Sequence, residues 1–114
     1  MTWEQLCKLG LALPAAELGT SYGTPALKVK GKLLTRLKED GKSVVFFTEN
    51  LDEQEALCET QPDVYYITDH YRGYPAVLAR LAKLRVAEAR TRLERAWRKN
   101  APKKLIQARD AEEA

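Results

Sequence analysis

The sequence is poor in the residues that build metal and redox sites. Its 114 residues include one histidine, His70, and two cysteines, Cys7 and Cys58, which lie far apart. A zinc site needs about four nitrogen or sulfur ligands close together, so we expect no metal and no other cofactor. The two cysteines are predicted to be reduced, largely buried thiols in a cytosolic protein.

Motifs of catalysis and of membrane insertion are missing as well. The sequence has no Gly-rich phosphate loop and no nucleophile elbow, and no apolar run approaches the ~18–20 residues that span a bilayer. The first residues lack the charged-then-apolar pattern of a signal peptide. We therefore expect a cytoplasmic, non-enzymatic protein with no catalytic residues, no membrane contact and no small-molecule substrate.

What is present is an ordinary globular composition with an uneven charge distribution. The length predicts one domain, expected over residues 1–104 and followed by a C-terminal tail, 105–114. The net charge is only +3, but residues 28–38 hold five basic and no acidic side chains, and residues 49–63 hold six acidic and no basic ones. Residues 85–109 hold nine basic and two acidic side chains. Such blocks predict differently charged faces.

Local patterns predict three helices. Thr2 and Gln5 have the spacing of a capping box, so a first helix is expected to begin at Trp3. A second helix begins after Asn50 or Asp52, either of which can serve as its N-cap. Its acidic side chains place this helix on the surface, with its charged side in water. Helical periodicity is firm from Val86, which predicts a third helix.

The segments between these helices indicate strands and loops. Residues 17–25 are rich in turn formers and are predicted as a loop. Residues 43–48 are apolar on both faces, which is typical of a central strand. Residues 64–68 predict a further strand, and residues 69–75 a loop. Residues 76–84 fit a strand or a helix equally well by periodicity.

Residues 26–30 and 33–38 predict a hairpin around Gly31, and two registers are compatible with the sequence. A two-residue loop places Leu27 on the face of Leu34. A three-residue loop, 30–32, instead pairs Val29 with Leu33 and Leu27 with Thr35. We predict the second register because it separates an apolar face, formed by Leu27, Val29, Leu33, Thr35 and Leu37, from a basic face, formed by Lys28, Leu34, Arg36 and Lys38.

Three segments resemble the MmcQ/YjbR family of small bacterial proteins. They are residues 22–32 (YGTPALKVKGK), residues 66–75 (YITDHYRGYP), and Ala96-Trp97 followed by Ala101-Pro102-Lys103. The motifs occur in the family's order and cover nearly the whole chain. The resemblance implies an α+β, two-layer fold with an antiparallel sheet, helices on one side and the order α-β-β-β-α-β-β-α. It also implies that residues 76–84 form a strand.

The resemblance implies a partner as well, because members of this family are commonly labelled DNA-binding. Cations for the phosphates and aromatic groups for further contact are present. The predicted interface comprises Lys28, Lys30, Lys32, Arg36, Lys38, His70, Tyr71 and Arg72, with Arg92, Arg95 and Lys99 on one side of the last helix. Since the net charge is modest and the acidic helix repels a duplex, we expect weak, salt-sensitive binding of double-stranded DNA with little sequence preference.

Other interpretations of the same residues stay open. A solvated basic face explains the lysines without any partner. A lone histidine among aromatic residues is typical of a hydrogen-bonded structural residue, although Asp69 beside His70 is a candidate acid–base partner. A protein-interaction module of chaperone-like fold is the alternative function, with the acidic helix facing a basic partner. A monomer is expected rather than a dimer.

Overall fold

The computed structural model describes residues 1–113, which form a six-stranded antiparallel sheet with four helices on one face. The helices are α1 (Trp3–Leu11), α2 (Leu51–Thr60), α3 (Val86–Asn100) and α4 (Lys103–Glu113). The strands are β1 (Ala16–Ser21), β2 (Thr24–Val29), β3 (Lys32–Leu37), β4 (Ser43–Phe47), β5 (Tyr65–Tyr66) and β6 (Ala76–Arg80). Their order across the sheet is β1-β2-β3-β4-β6-β5. The predicted α+β, two-layer class is confirmed, with one additional strand and one additional helix.

The additional strand is β1, which lies where the sequence predicted a loop. Turn formers dominate this segment, but an edge strand needs only backbone pairing with its neighbour. β1 pairs antiparallel with β2 from Ala16 opposite Val29 to Ser21 opposite Thr24. The two strands join through Tyr22 and Gly23, which both have positive φ, 52° and 78°. Positive φ at both turn positions is typical of the two-residue turns that match strand twist.

The β2–β3 hairpin combines features of both predicted registers. Its loop is the two-residue turn Lys30-Gly31, which pairs Val29 with Lys32, so the predicted Val29–Leu33 pair is wrong. The predicted Leu27–Thr35 pair is correct because the register shifts by one residue between these pairs. Leu34 is the extra residue of this β-bulge. Its predicted place on the basic face is wrong, because the bulge directs it into the core, where it is fully buried.

Strand β4 lies at the centre of the sheet and is buried on both faces, as its apolar sequence predicted. One face of the sheet packs against the helices, with fully buried Leu27, Phe46 and Trp97 in that core. The other face holds a smaller cluster, formed by Val45, Tyr71, Ala76 and Leu78. Residues 76–84 resolve into β6 followed by a single 3-10 turn, Leu81–Lys83, so the implied strand is confirmed for its first five residues.

Helix starts follow the predicted caps. The Thr2 hydroxyl accepts a hydrogen bond from the Gln5 N–H at 3.1 Å, and the Thr2 N–H donates to the Gln5 side chain at 2.8 Å. Asn50, one of the two candidates, caps α2 by accepting from the Glu53 N–H at 2.9 Å. Two side-chain caps predicted from spacing are therefore confirmed.

The segment predicted as a C-terminal tail, 105–114, is helical as far as it is described, since residues 105–113 belong to α4 and Ala114 lies outside the described residues. Leu105 and Ile106 pack against the main core. Arg109 forms a bidentate pair with Glu94 of α3, with its Nη2 2.6 Å from Oε1 and its Nε 3.0 Å from Oε2, and its guanidinium lies 5.7 Å from the Trp97 ring. These contacts fix α4 to the domain.

We predict that Glu94→Gln loosens α4 in a pH-dependent way. The Arg109 hydrogen bonds, with those of Arg98, hold the pKa of Glu94 below its usual value. A lowered folded-state pKa contributes stability that is complete above the unfolded pKa, about 4.3, and is lost as the pH falls through the folded pKa. At pH 7 the variant should lose about 1–3 kcal/mol of unfolding free energy in urea titrations.

The difference between wild type and Glu94→Gln should shrink towards zero in acid, where the wild-type carboxyl is itself neutral. Glu112→Gln removes an exposed carboxyl from α4 and serves as the control, with little expected effect at either pH. A pH-independent loss in Glu94→Gln would contradict the role assigned to the ion pair.

Candidate nucleic-acid interface

Arg36, a predicted contact residue, is held within the fold. Its side chain lies on the sheet face opposite the helices, where Arg36 pairs with Val45 of β4. Its Nη1 donates to the Thr24 hydroxyl and to Glu39, both at 3.3 Å, and its guanidinium lies 5.1 Å from the ring of exposed Tyr22. The residue is only 8% exposed, so its guanidinium is largely withdrawn from solvent and its Nη1 is engaged by the protein itself.

Lys38 brings the two predicted parts of the interface together. Its ammonium lies 3.3 Å from Glu39 and 5.5 Å from the ring centroid of Tyr71. The hairpin and the 69–75 loop therefore share the face of the sheet opposite the helices. Tyr71 is itself buried against Val45 and Leu78, so its ring holds the loop onto the sheet.

His70 and Arg72 lie beside Tyr71 and are exposed. His70 contacts the edge of the Tyr71 ring, with centroids 5.8 Å apart. Arg72 pairs with Asp69 at 3.0 Å in a highly exposed ion pair, which water screens. Asp69 is thus engaged by Arg72 across the 3-10 turn Asp69–Tyr71. Both predicted residues remain accessible to a partner.

The conformation of this loop depends on one amide of α2. The Gln54 side-chain NH₂ lies within hydrogen-bond distance of three backbone carbonyls, those of Tyr71 at 3.1 Å, Tyr74 at 2.7 Å and Ala76 at 2.8 Å. Gln54 is buried, as is Leu57 one turn later in α2. Its role is polar, however, because a buried carbonyl needs a donor.

Three predicted lysines of the hairpin remain. Lys30 and Lys32 are exposed at the turn, whereas Lys28 is half-buried on the outer face. None of the three makes an ion pair within residues 1–113. The alkyl chain of Lys28 lies over Gly19 of β1, where a Cβ would be 3.4 Å from the lysine Cδ. Lys28 is therefore directed towards the edge of the sheet, away from the turn.

Lys99 lies near the turn at one end of the molecule, and two further lysines follow it in the chain. Leu33, next to Lys32, lines a cleft of about 280 Å³ together with Lys99 and Asn100 at the end of α3. Lys103 begins α4 three residues later. The sequence had identified Lys99 but had missed the following two lysines, although they form a basic run after Pro102. We define the basic end as the exposed side chains Lys30, Lys32, Lys99, Lys103 and Lys104.

The other basic residues predicted on α3 are committed to α2. Arg92 and Arg95 approach Glu53 at 3.5 and 2.7 Å, and Arg92 also pairs with Glu88 at 3.4 Å. Burial acts to raise the pKa of Glu53, but the Glu49 N–H and these two arginines outweigh it, so the pKa lies below its usual value. The charged side of α2 therefore meets α3 through Glu53 and does not lie wholly in water as predicted.

Cys7 and Cys58 are free thiols, the first buried and the second half-buried, and burial raises the pKa of each. Within residues 1–113, no helix combines the length and apolarity needed to cross a bilayer. The same residues contain no cluster of three or more histidine, cysteine or acidic side chains arranged to hold a metal ion.

We predict that Gln54→Leu releases the 69–75 loop. The substitution removes the side-chain donor from three carbonyls and leaves those of Tyr71 and Tyr74 with only their backbone donors, the N–H groups of Tyr74 and Ala76. This loss should lower the unfolding free energy by about 1–3 kcal/mol and speed hydrogen exchange of the Tyr74 and Ala76 amides. Gln107→Leu, the same change at an exposed position of α4, is the matched control. Equal effects of the two substitutions would show that the Gln54 amide does not hold the loop.

Comparison with known proteins agrees with this architecture. Residues 11–99 match the family model described as YjbR. The chain is also 47% identical over 53 residues to uncharacterized proteins of Mycobacterium bovis and of two strains of Mycobacterium tuberculosis. That match covers 46% of this chain and 41% of the length of each relative. Because the family model spans most of the described fold, the chain belongs to the YjbR family.

Proposed function

We propose that this chain is a non-enzymatic protein that binds double-stranded DNA weakly, with little sequence preference, through the basic end. The observation that carries the proposal is the grouping of five exposed lysines at the hairpin turn and the α3–α4 junction. None of these lysines makes an ion pair within residues 1–113. Cations without internal partners are the groups that can release counterions from DNA phosphates.

The number of available cations supports weak binding. Arg36 and Lys38 are held by Glu39, and Arg92 and Arg95 are held by Glu53, so these side chains already have anionic partners. If all five lysines of the basic end contacted phosphates, the affinity would fall with salt with a logarithmic slope of about −4.5. Glu49 lines the adjoining cleft and lowers the positive potential there.

The kind of cation supports low sequence preference. A lysine ammonium is a point charge that meets phosphate oxygens, whereas bidentate reading of guanine is typical of arginine. Arg36 on the hairpin and Arg92 and Arg95 on α3 are engaged in ion pairs. Contacts from the basic end would therefore position a duplex without reading its bases.

A protein-interaction module is the second candidate, and the free edge of β1 favours it. This edge carries exposed Leu18 and lies away from the hairpin turn that holds Lys30. A partner strand could add there by backbone pairing. The two functions use different surfaces of the domain and can be tested separately.

The experiment is fluorescence anisotropy of a duplex of about 20 base pairs, titrated with protein at several salt concentrations. We expect binding in the micromolar range typical of non-specific complexes. The double variant Lys30→Ala/Lys32→Ala should reduce the salt slope by about 1.8, since two phosphate contacts are lost. Scrambling the duplex sequence should leave the affinity unchanged.

The matched control is Lys42→Ala/Lys83→Ala, which removes the same charge from exposed positions near the opposite end of the sheet. Its slope should stay close to that of the wild type. Equal losses in both double variants would indicate a response to net charge alone and would remove the basic end as the contact surface. No binding at low salt would reject the DNA proposal.

A further inference from the structure

The two edges of the sheet are protected to different degrees. The β5 edge is only two residues long, and Arg80 donates to the adjoining carbonyls of Pro62 and Asp63, at 3.1 and 3.4 Å. The β1 edge is six residues long and contains neither lysine nor proline. Natural sheets usually block such an edge with those residues, with a bulge or with a covering element.

The backbone groups on the free side of β1 can be identified from the turn that ends it. In a two-residue hairpin, the residues flanking the turn exchange both backbone hydrogen bonds, and the pattern then alternates along the strand. Ser21, Gly19 and Glu17 therefore bond to β2. Leu18 and Thr20 point their N–H and C=O groups to the free edge. The Ala16 N–H fits this pattern, since it turns away from β2 to donate to the Leu13 carbonyl at 3.1 Å.

A large apolar side chain lies in the middle of this edge. Leu18 is 60% exposed and faces the helix side of the sheet, because it pairs with buried Leu27. It borders an apolar groove formed with Trp3, Cys7 and Pro25. An exposed leucine at the centre of an unpaired strand is the kind of residue that a partner strand would bury.

The position of Lys28 supplies the charge of the surface. Glu17 lies directly opposite Lys28 on β1, yet the two side chains form no ion pair within the described part of the chain. Instead, the Lys28 chain crosses the strand at Gly19, with its Cδ and Cε 3.4 and 3.7 Å from where a Cβ would stand. Gly19 places no side chain in this path, and the Lys28 chain packs over its backbone. The ammonium group thus extends towards the free edge, on the face opposite the helices.

We infer that β1 pairs antiparallel with β1 of a second copy of this chain, with Leu18 opposite Leu18 on a two-fold axis. In this register Glu17 of one copy lies opposite Gly19 of the other, where the Lys28 ammonium emerges. The axis repeats the contact, so the interface has two Lys28–Glu17 ion pairs between copies. It also has about four backbone hydrogen bonds, formed by the Leu18 groups and by Thr20 N–H groups donating to Ala16 carbonyls.

Charge complementarity selects this occupant and this register. Two Glu17 side chains never face each other, and each carboxylate meets the one cation directed at the edge. The Leu18 side chains meet across the axis on the helix side. The contact is small, so the dimer belongs to the weak, concentration-dependent class. A monomer was expected from the sequence, in which β1 itself was not predicted.

Sedimentation equilibrium of the whole chain tests the inference, from about 1 μM to about 1 mM, the range over which a small interface dissociates. The average mass should rise from 12.9 kDa towards twice that value. Glu17→Lys and Lys28→Glu should each weaken self-association by about tenfold, since attraction becomes repulsion at two symmetric pairs. Lys30→Glu, the same charge change at the turn, should not.

Mixing the two single variants separates association from effects on folding. In the heterodimer, Lys28 of the Glu17→Lys chain meets Glu17 of the Lys28→Glu chain. At the second, symmetry-related contact the two substituted side chains face each other, one now a cation and the other an anion. Both pairs between the chains are therefore attractive. The mixture should associate as well as the wild type, although each substitution still changes the contacts within its own chain.

Two outcomes would overturn the inference. A mixture that associates no more strongly than its components would overturn the register. A wild type that stays at 12.9 kDa over the whole concentration range would overturn the dimer. Neither result bears on the basic end, which does not include Lys28.

Discussion

Strand β4 carries apolar side chains on both faces, and the sheet therefore has to be covered twice. The helices cover one face through a core centred on fully buried Trp97, whose indole N–H donates to the Pro14 carbonyl at 2.8 Å. The other face has no helix, and Tyr71 and its loop cover it instead. A loop exposes backbone groups that need partners, which explains why an amide from α2 reaches across to it. The Gln54 contacts, made to the loop and to the first residue of β6, thus follow from the burial of β4.

Each charge block of this sequence contributes some of its side chains to ion pairs inside the domain. The acidic block lies on α2 and much of the basic block on α3, and the two helices meet through Glu53. Glu94 does the same for α3 and α4 through Arg109. Arginines at these places can bond in two directions at once, whereas the lysines, which form compact charges on flexible chains, are left at the turn and the helix junction. What a partner meets is therefore set by which cations lack an internal carboxylate partner more than by net charge.

The parts of the fold that local chemistry determines could be predicted from the sequence. Caps at Thr2 and Asn50 and the double-sided burial of β4 depend on neighbouring residues and on residue type. The register of the hairpin could not be predicted, because both alternatives assumed a regular strand. The bulge at Leu34 combines the two-residue loop of one alternative with the Leu27–Thr35 pair of the other. β1 was missed because an edge strand is held by the backbone of β2, which leaves no periodic pattern.

For the candidate site, residue type identified the basic hairpin but not which of its side chains were free. Arg36 and Lys30 look alike in the sequence, since both are cations two residues from another cation. They differ because Arg36 follows the bulge, which turns it towards Thr24 and Tyr22, while Lys30 occupies the turn. Whether a cationic side chain is free to bind a partner depends on its tertiary contacts. These contacts cannot be predicted from the sequence when the strand register is unknown.

The inferred dimer and the basic end constrain each other through strand direction. β1 runs antiparallel to its copy, so the two hairpin turns point in opposite directions along the sheet. One short, straight duplex cannot contact both basic ends, and dimerisation therefore adds no avidity on such a duplex, because simultaneous engagement is geometrically excluded. It would instead let one dimer hold two separate duplexes, or two distant parts of a long one. This geometry requires that the affinity of the dimer for DNA rise with the length of the duplex. On a short duplex, dimer formation should leave the affinity for DNA unchanged.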